Sequence, residues 1–104
     1  MYAIARLNTF DEQKLAQAES ELAKVAQLHA SQPGYAGSFT VALTDGRHLT
    51  VNLWQTEGHA IGGRSAIGPE VLRLLEPLTT APSQLIGAGP IVETDLRDLV
   101  ASVP

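Results

Sequence analysis

The chain contains no cysteine and few charged residues. The absence of cysteine among its 104 residues excludes disulfide bonds, zinc sites built from thiolates and thiol nucleophiles. Charged residues make up only 17% of the chain, and seven lysines and arginines stand against eleven aspartates and glutamates, for a net charge of −4. A surface that neutralises nucleic-acid phosphates needs an excess of basic side chains. We therefore expect no nucleic-acid partner.

Long apolar segments are also missing. No run approaches the roughly 20 apolar residues that a membrane span needs, and the N-terminus lacks the basic-then-apolar pattern of a signal segment. We expect a cytoplasmic protein with no membrane partner. At this length, and with 44% hydrophobic residues, the chain is expected to form a single domain over residues 1–104 around one small core.

The sequence also lacks the usual patterns for metals and cofactors. Its three histidines are widely spaced and have no matched carboxylates, which fits no standard metal site. The glycines at 87 and 89 form a GxG that does not open a helix, so it does not predict a nucleotide site. We expect no metal and no cofactor.

Hydrophobic periodicity divides the first half of the chain into a strand, a helix and a hairpin. Alternating residues predict a strand over Tyr2–Asn8, and an apolar stripe at helical spacing predicts one helix over about Glu12–Gln32. Two further alternating runs flank the Asp45-Gly46 pair, which is the strongest short-range signal for a β-hairpin.

The second half is expected to hold two helical pieces and a last strand. Glycines and Pro69 oppose a continuous helix, so one piece is predicted to end near Ala66 and the next to begin at Pro69. A strand is predicted over Leu85–Leu96. Because Pro90 interrupts it and cannot donate to a central ladder, this strand is placed at an edge, at a bulge, or extended toward a partner. Residues 97–104 are expected to form a short terminal turn.

This order of elements predicts an α+β fold of the ferredoxin-like βαββαβ type, with a four-stranded antiparallel sheet and two helices on one face. Each hairpin strand has one aliphatic face and one face of polar and aromatic residues. We expect the aliphatic face to pack on the helices. The other face, which carries Trp54, is then expected to pack on a second copy of the chain, giving a homodimer.

The element order and the segment from Val51 to Ala60, with the sequence VNLWQTEGHA, resemble the dimeric α+β barrel superfamily, and within it the antibiotic biosynthesis monooxygenase group. Strand three commonly ends there in a tryptophan followed by a polar helix start. The resemblance covers about residues 1–96. It implies a homodimer, and it implies a small monooxygenase that oxidises polycyclic aromatic compounds without metal or flavin. Some members degrade haem with an asparagine, a tryptophan and a histidine. The corresponding positions here hold Ala5, Gly63 and Arg73, so the resemblance does not imply haem degradation.

Asn52 and Trp54 are the first candidate catalytic residues. They lie two positions apart, so their side chains are expected on the same face of one strand. Oxygenation of a phenol without a cofactor needs a dry pocket and a few hydrogen-bond donors that stabilise developing negative charge. The alternative is structural: Trp54 anchors a barrel or dimer interface, and Asn52 forms a hydrogen bond across the dimer.

Four further residues are candidates for the same pocket. His59 is a candidate base near a helix start, or else a solvent-facing residue of the first turn. His29 is a candidate pocket residue on the first helix, or else a core-edge histidine bonded to a backbone carbonyl. Phe39 is a candidate pocket residue. Arg64, beside two glycines, is a candidate cationic mouth for an anionic substrate, or else the glycines only let the helix bend around the sheet.

The resulting functional hypothesis is a cofactor-independent monooxygenase-like protein that acts on small aromatic or polyketide-type compounds. The alternative is a non-catalytic homodimeric barrel that binds a small ligand or takes part in a stress response. Both place a small aromatic ligand in a pocket of each protomer.

Overall fold

The computed structural model describes residues 1–96 and has the predicted α+β ferredoxin-like fold. Its elements are β1 (Tyr2–Thr9), α1 (Glu12–Ala16), α2 (Glu19–Ala30), β2 (Tyr35–Ala42), β3 (Arg47–Trp54), α3 (Glu57–Leu75) and β4 (Gln84–Pro90), with a 3₁₀ turn at Glu76–Leu78. The strands form one antiparallel sheet in the order β2-β3-β1-β4. The turn predicted at 97–104 lies outside the described residues. No helix in the described part is long and apolar enough to cross a membrane.

The β2–β3 hairpin forms where it was predicted. Asp45 and Gly46 both have positive φ angles, of 59° and 72°. Two successive residues in this conformation give a turn whose twist matches that of the flanking strands. The hairpin fixes the register in which Ser38 lies opposite Asn52 and Thr40 lies opposite Thr50.

The first helical region is two helices, so the prediction of one continuous helix is wrong. The chain leaves the helical path at Gln17 and Ala18, which both have φ angles near −100°. Neither glycine nor proline marks this break in the sequence. The break places Ala18 in a buried cluster with Phe10 and Leu78, so tertiary packing overrides the local helix propensity.

The second helical region is one helix, α3, so the prediction of two pieces is also wrong. Pro69 lies inside α3 and costs it one backbone hydrogen bond. The helix continues because its buried residues form one stripe along its whole length: Ala60, Gly63, Ile67 and Leu74. Packing of this stripe compensates for the weak helix formers.

The last strand, β4, is an edge strand with a bulge, as its proline and glycines predict. The pairing with β1 shifts register between Ala5 and Arg6. The strand ends at Pro90, earlier than predicted. Beyond it, the Ile91 N–H still donates to the Met1 carbonyl at 2.8 Å.

The two faces of the sheet are reversed relative to the prediction. Trp54 packs against Gly63 of α3, so the face that carries Trp54 and Asn52 is the one beneath the helices. We call it the cleft face; its other members are Tyr2, Ile4, Arg6, Asn8, Tyr35, Ser38, Thr40, His48 and Thr50. The aliphatic side, the open face, points away from the helices and carries Leu7, Phe39, Val41, Leu49, Val51 and Leu53.

The reversal has a physical reason. Alternation of period two separates a strand into two faces but does not say which face the helices cover. Here the large rings of Trp54 and Tyr35 fill the space between sheet and helix, and their ring centroids lie 5.3 Å apart. The aliphatic side chains are therefore left on the side without helices.

Candidate functional site

The candidate site is the cleft between the cleft face and the helices α2 and α3. Its floor is polar: the hydroxyl oxygens of Thr40 and Thr50 lie 3.0 Å apart across the hairpin. Asn52 is the next residue of β3 on the same face and lies opposite Ile4 and Ser38. Asn52 and Thr50 are half-buried, whereas Ser38 and Thr40 are exposed. The cleft is therefore covered over β1 and β3 and open toward β2.

The Asn52 side chain is available to a ligand. Among the described residues it has no hydrogen-bond partner, whereas nearby Thr40 and Thr50 satisfy each other. A half-buried amide offers two N–H donors and one carbonyl acceptor. The position and chemistry of Asn52 thus suit an oxygen atom of a bound molecule.

Trp54 closes one end of the cleft within a row of three aromatic rings. Its side chain is only 3% exposed. Tyr35 packs edge-on against it, and His29 lies on the other side of Tyr35 at a centroid distance of 5.5 Å. Tyr35 is a site residue that the sequence reasoning missed; the signal was its place directly after the Pro33-Gly34 pair, at the start of β2.

His29 is held by its own helix. Its Nδ1 lies 2.9 Å from the carbonyl oxygen of Val25, one turn earlier in α2. The sequence analysis gave this bonding to a backbone carbonyl as the alternative to a pocket role for His29. The remaining ring nitrogen, Nε2, has no partner within residues 1–96. His29 reaches Trp54 only through the ring of Tyr35.

His59 lies in the first turn of α3, where Thr56 fixes its ring. The Thr56 hydroxyl accepts a hydrogen bond from the backbone N–H of His59 at 3.1 Å and lies 2.8 Å from His59 Nδ1. Because the Thr56 hydroxyl already accepts from the backbone, we expect it to donate its own proton to Nδ1, which would place the proton of the neutral ring on Nε2. In this expected tautomer the free nitrogen of His59 is a donor and not a base.

A shallow groove of about 360 Å³ lies beside His59 and is lined by Gln32, Pro33, Gly58, His59, Gly62 and Gly63. The ring of His59 packs directly against Gly34, where a Cβ atom would lie 2.2 Å from His59 Cγ. His59 therefore packs on Gly34, whereas Trp54 packs on Gly63. The structure does not bring His59 together with Asn52.

Two of the predicted pocket residues lie elsewhere. Phe39 is paired with Val51 on the open face, so it points away from the cleft that contains Asn52. This correction follows from the reversal of the sheet faces. Arg64 is exposed on α3, and its Cγ lies near Gly68. Neither residue contributes to the floor of the cleft.

Arg6 is a further polar residue of the cleft face. It lies on β1 opposite Thr50, and its Nε donates to the Ser83 hydroxyl at 3.1 Å. Its side chain is half-buried. The one salt bridge within the described residues joins Glu70 and Arg73 on α3, so Arg6 has no carboxylate partner there.

Glu70 and Arg73 form an exposed ion pair on α3. The Arg73 guanidinium donates to the carboxylate and holds the pKa of Glu70 below its usual range, and Glu70 in turn raises the pKa of Arg73. Glu70 also borders a groove of about 280 Å³ between α2 and α3. In the part of the chain that is described, no three potential metal-binding side chains lie close enough to hold an ion.

Comparison with known proteins identifies the fold. No protein-family model matches the chain, and no curated protein sequence matches it. Solved structures do match. A variant of SnoaB, a cofactor-independent oxygenase from Streptomyces nogalater, superposes with a TM-score of 0.69 at 19% identity and covers 92% of this chain and 97% of its own.

Two other solved structures give the same result. A protein of unknown function from Nitrosomonas europaea has a TM-score of 0.72 at 12% identity and covers 93% of this chain and 94% of its own. An antibiotic biosynthesis monooxygenase has a TM-score of 0.70 at 6% identity and covers 89% of this chain and all of its own. The chain therefore shares the fold of these three solved proteins.

Proposed function

We propose that this chain is a cofactor-independent monooxygenase-like protein that oxidises small aromatic compounds in the cleft above Asn52. The observation that carries the proposal is the half-buried Asn52 amide, which has no hydrogen-bond partner among the described residues. It lies on the floor of a cleft that Trp54 closes at one end. The fold shared with SnoaB, itself a cofactor-independent oxygenase, supports the same conclusion.

The proposed chemistry needs no external reductant. A hydroxyanthrone loses a proton from its acidic CH₂ or phenol group, and the resulting anion transfers electrons to dioxygen. The ring CH₂ becomes a carbonyl, one oxygen atom of O₂ enters the product, and the other leaves as water. Asn52 donates a hydrogen bond to the anionic substrate oxygen, where negative charge is concentrated. Trp54 forms the wall against which the ring system lies.

The proposed active unit is a homodimer formed through the open face. Helices cover only the cleft face, and the open face presents half-exposed aliphatic and aromatic side chains such as Phe39, Val41 and Leu43. A second copy of the same face covers it by two-fold symmetry. This dimer replaces the predicted one, which used the cleft face.

The second candidate function is non-catalytic binding of a small aromatic ligand. The openness of the cleft toward β2 favours it, since Ser38 and Thr40 are exposed. An oxygenase that handles a reactive anion benefits from the exclusion of water. A binding protein has no such requirement.

Oxygen uptake and quinone formation over a panel of hydroxyanthrones and naphthols test the proposal. We expect turnover of at least one compound, with one O₂ consumed per quinone formed. Asn52→Leu should then lower kcat by about 100-fold, the usual effect of removing one donor to a developing oxyanion. Gln55→Leu removes an exposed amide from the same chain segment and should leave kcat unchanged.

If no compound is oxidised above the protein-free rate, the oxygenase proposal is wrong. The same panel in a thermal-shift assay then tests the binding function. A ligand present at 100 times its dissociation constant adds about 2.7 kcal/mol to the free energy of unfolding. If no compound is oxidised and none binds, both functions are excluded for this chemical class.

A further inference from the structure

We infer that Arg6 anchors a carboxylate of the ligand, so that the cleft selects planar aromatic compounds that carry a carboxylate. The inference rests on the proposed function, because it places the ligand in the cleft. It goes beyond that function by assigning the charge of the ligand and the residue that recognises it.

The environment of Arg6 is the first argument. Arg6 lies on the cleft face, is half-buried as a residue, and bonds through Nε to the neutral hydroxyl of Ser83. A half-buried cation loses hydration and usually recovers the free energy from an anion. Within residues 1–96 the protein supplies none. An anionic ligand would complete this pairing.

The geometry of the free donors is the second argument. With Nε engaged by Ser83, the two terminal nitrogens of Arg6 remain available. They present parallel N–H groups that match the two oxygens of a carboxylate.

The length of the cleft is the third argument. Arg6 pairs with Thr50, and four residues along the strands Tyr2 pairs with Trp54. At about 3.3 Å per residue this separation is about 13 Å. We expect a ligand of two or three fused six-membered rings to span this distance. Asn52 lies between the two ends and would meet an oxygen on the ring system itself.

Calorimetric titration with matched ligand pairs tests the inference. The probes are 2-naphthoate with 2-naphthamide, and anthracene-2-carboxylate with its carboxamide. The members of each pair share shape and ring system but differ in charge. We expect the wild-type protein to bind each carboxylate at least about tenfold more tightly than the matching carboxamide.

Substitutions at Arg6 locate the source of this preference. Arg6→Gln should bring the carboxylate affinity down to that of the carboxamide and leave the carboxamide affinity unchanged. Arg6→Lys keeps the charge but loses the paired donors, so it should retain part of the preference. Arg47→Gln is the matched control, because it removes an exposed arginine whose side chain bonds to Thr44.

The outcomes separate this inference from the proposed function. If the wild-type protein binds carboxylates and carboxamides equally, Arg6 does not recognise the carboxylate, but the proposal that the cleft binds aromatic compounds is retained. If Arg47→Gln removes the preference as fully as Arg6→Gln does, the effect is general electrostatics and the inference is overturned. If neither member of any pair binds, the proposed aromatic cleft fails and the inference fails with it. If Arg6→Gln does not fold, the preference of Arg6→Lys for carboxylate over carboxamide tests the inference instead.

Discussion

Gly63 of α3 lies directly against the indole of Trp54. A Cβ atom at this position would be 2.3 Å from Cη2 of the tryptophan and 2.8 Å from Cζ3. The helix can approach the sheet at this point only because residue 63 has no side chain. Glycine weakens the interior of a helix, so its presence here is explained by the position of the Trp54 ring, which closes the end of the cleft.

Gly63→Ala should therefore destabilise the fold. The added methyl group forces the buried indole or the helix to move, and overpacking of this kind typically costs about 1–3 kcal/mol. Trp54 is the only tryptophan, so its fluorescence reports directly on this contact during urea unfolding. We expect a lower unfolding midpoint and a changed emission spectrum in the folded state.

Gly62→Ala is the matched control for Gly63→Ala. A Cβ atom at Gly62 would meet no atom within 4 Å, and the residue lies in the same helix. The substitution should stabilise the protein by about 0.5–1 kcal/mol through helix propensity alone. If both variants shift the unfolding midpoint in the same direction, the close packing of Trp54 on α3 does not explain the glycine at position 63.

The sequence predicted the order of elements and the hairpin because these depend on local signals. The Asp45-Gly46 pair and the proline in β4 each have a direct conformational consequence. The break at Ala18 and the continuity of α3 through Pro69 depend instead on packing between distant residues, which periodicity does not encode. The covered face of the sheet belongs to the second group, since only the contact of Trp54 with α3 decides it.

In the candidate site, too, some features follow from local sequence signals and others depend on packing between distant residues. The pairing of Asn52 and Trp54 on one face is a consequence of alternation and was predictable. The place of Phe39 on the opposite side from the helices was not, because it depended on the assignment of the faces. Arg6 was visible as a charged residue in a strand, but its lack of a carboxylate partner in the described chain became evident only in three dimensions.

Thr56→Ala should weaken α3 and release the ring of His59. Thr56 is the N-cap of α3, and its hydroxyl contacts both the backbone N–H and the Nδ1 of His59. Loss of a threonine cap costs about 1 kcal/mol. Nitrogen chemical shifts of the imidazole should show the Nε2–H tautomer in the wild type and a mixture in the variant. Thr56→Ser keeps the hydroxyl and should preserve both properties; a mixed tautomer in the wild type would contradict the hydrogen-bond assignment.

The Glu70 carboxyl should titrate below the usual glutamate range, and Arg73 should be the main cause. Arg73→Gln should raise the pKa of Glu70 more than Lys24→Gln does, because Lys24 contributes the smallest effect. A lowered folded-state pKa stabilises the protein above the unfolded pKa, and this stabilisation is lost as pH falls through the folded pKa. Solvent screening keeps it small. NMR titration of the Glu70 side chain measures the change in its pKa in each variant. A larger pKa change in Lys24→Gln than in Arg73→Gln would refute the prediction.

Val41→Lys should dissociate the proposed dimer. Val41 lies on the open face and is 43% exposed in the single chain. In a two-fold interface each introduced ammonium group would be buried near its symmetry mate, without a partner charge. Sedimentation at micromolar concentration should give twice the chain mass of 11.0 kDa for the wild type and one chain mass for the variant.

Ile61→Lys places the same charge on α3, at a residue that is 59% exposed, and should leave the dimer intact. A wild-type mass of one chain would refute the dimer, and dissociation by Ile61→Lys alone would place its interface on the helices instead of the open face.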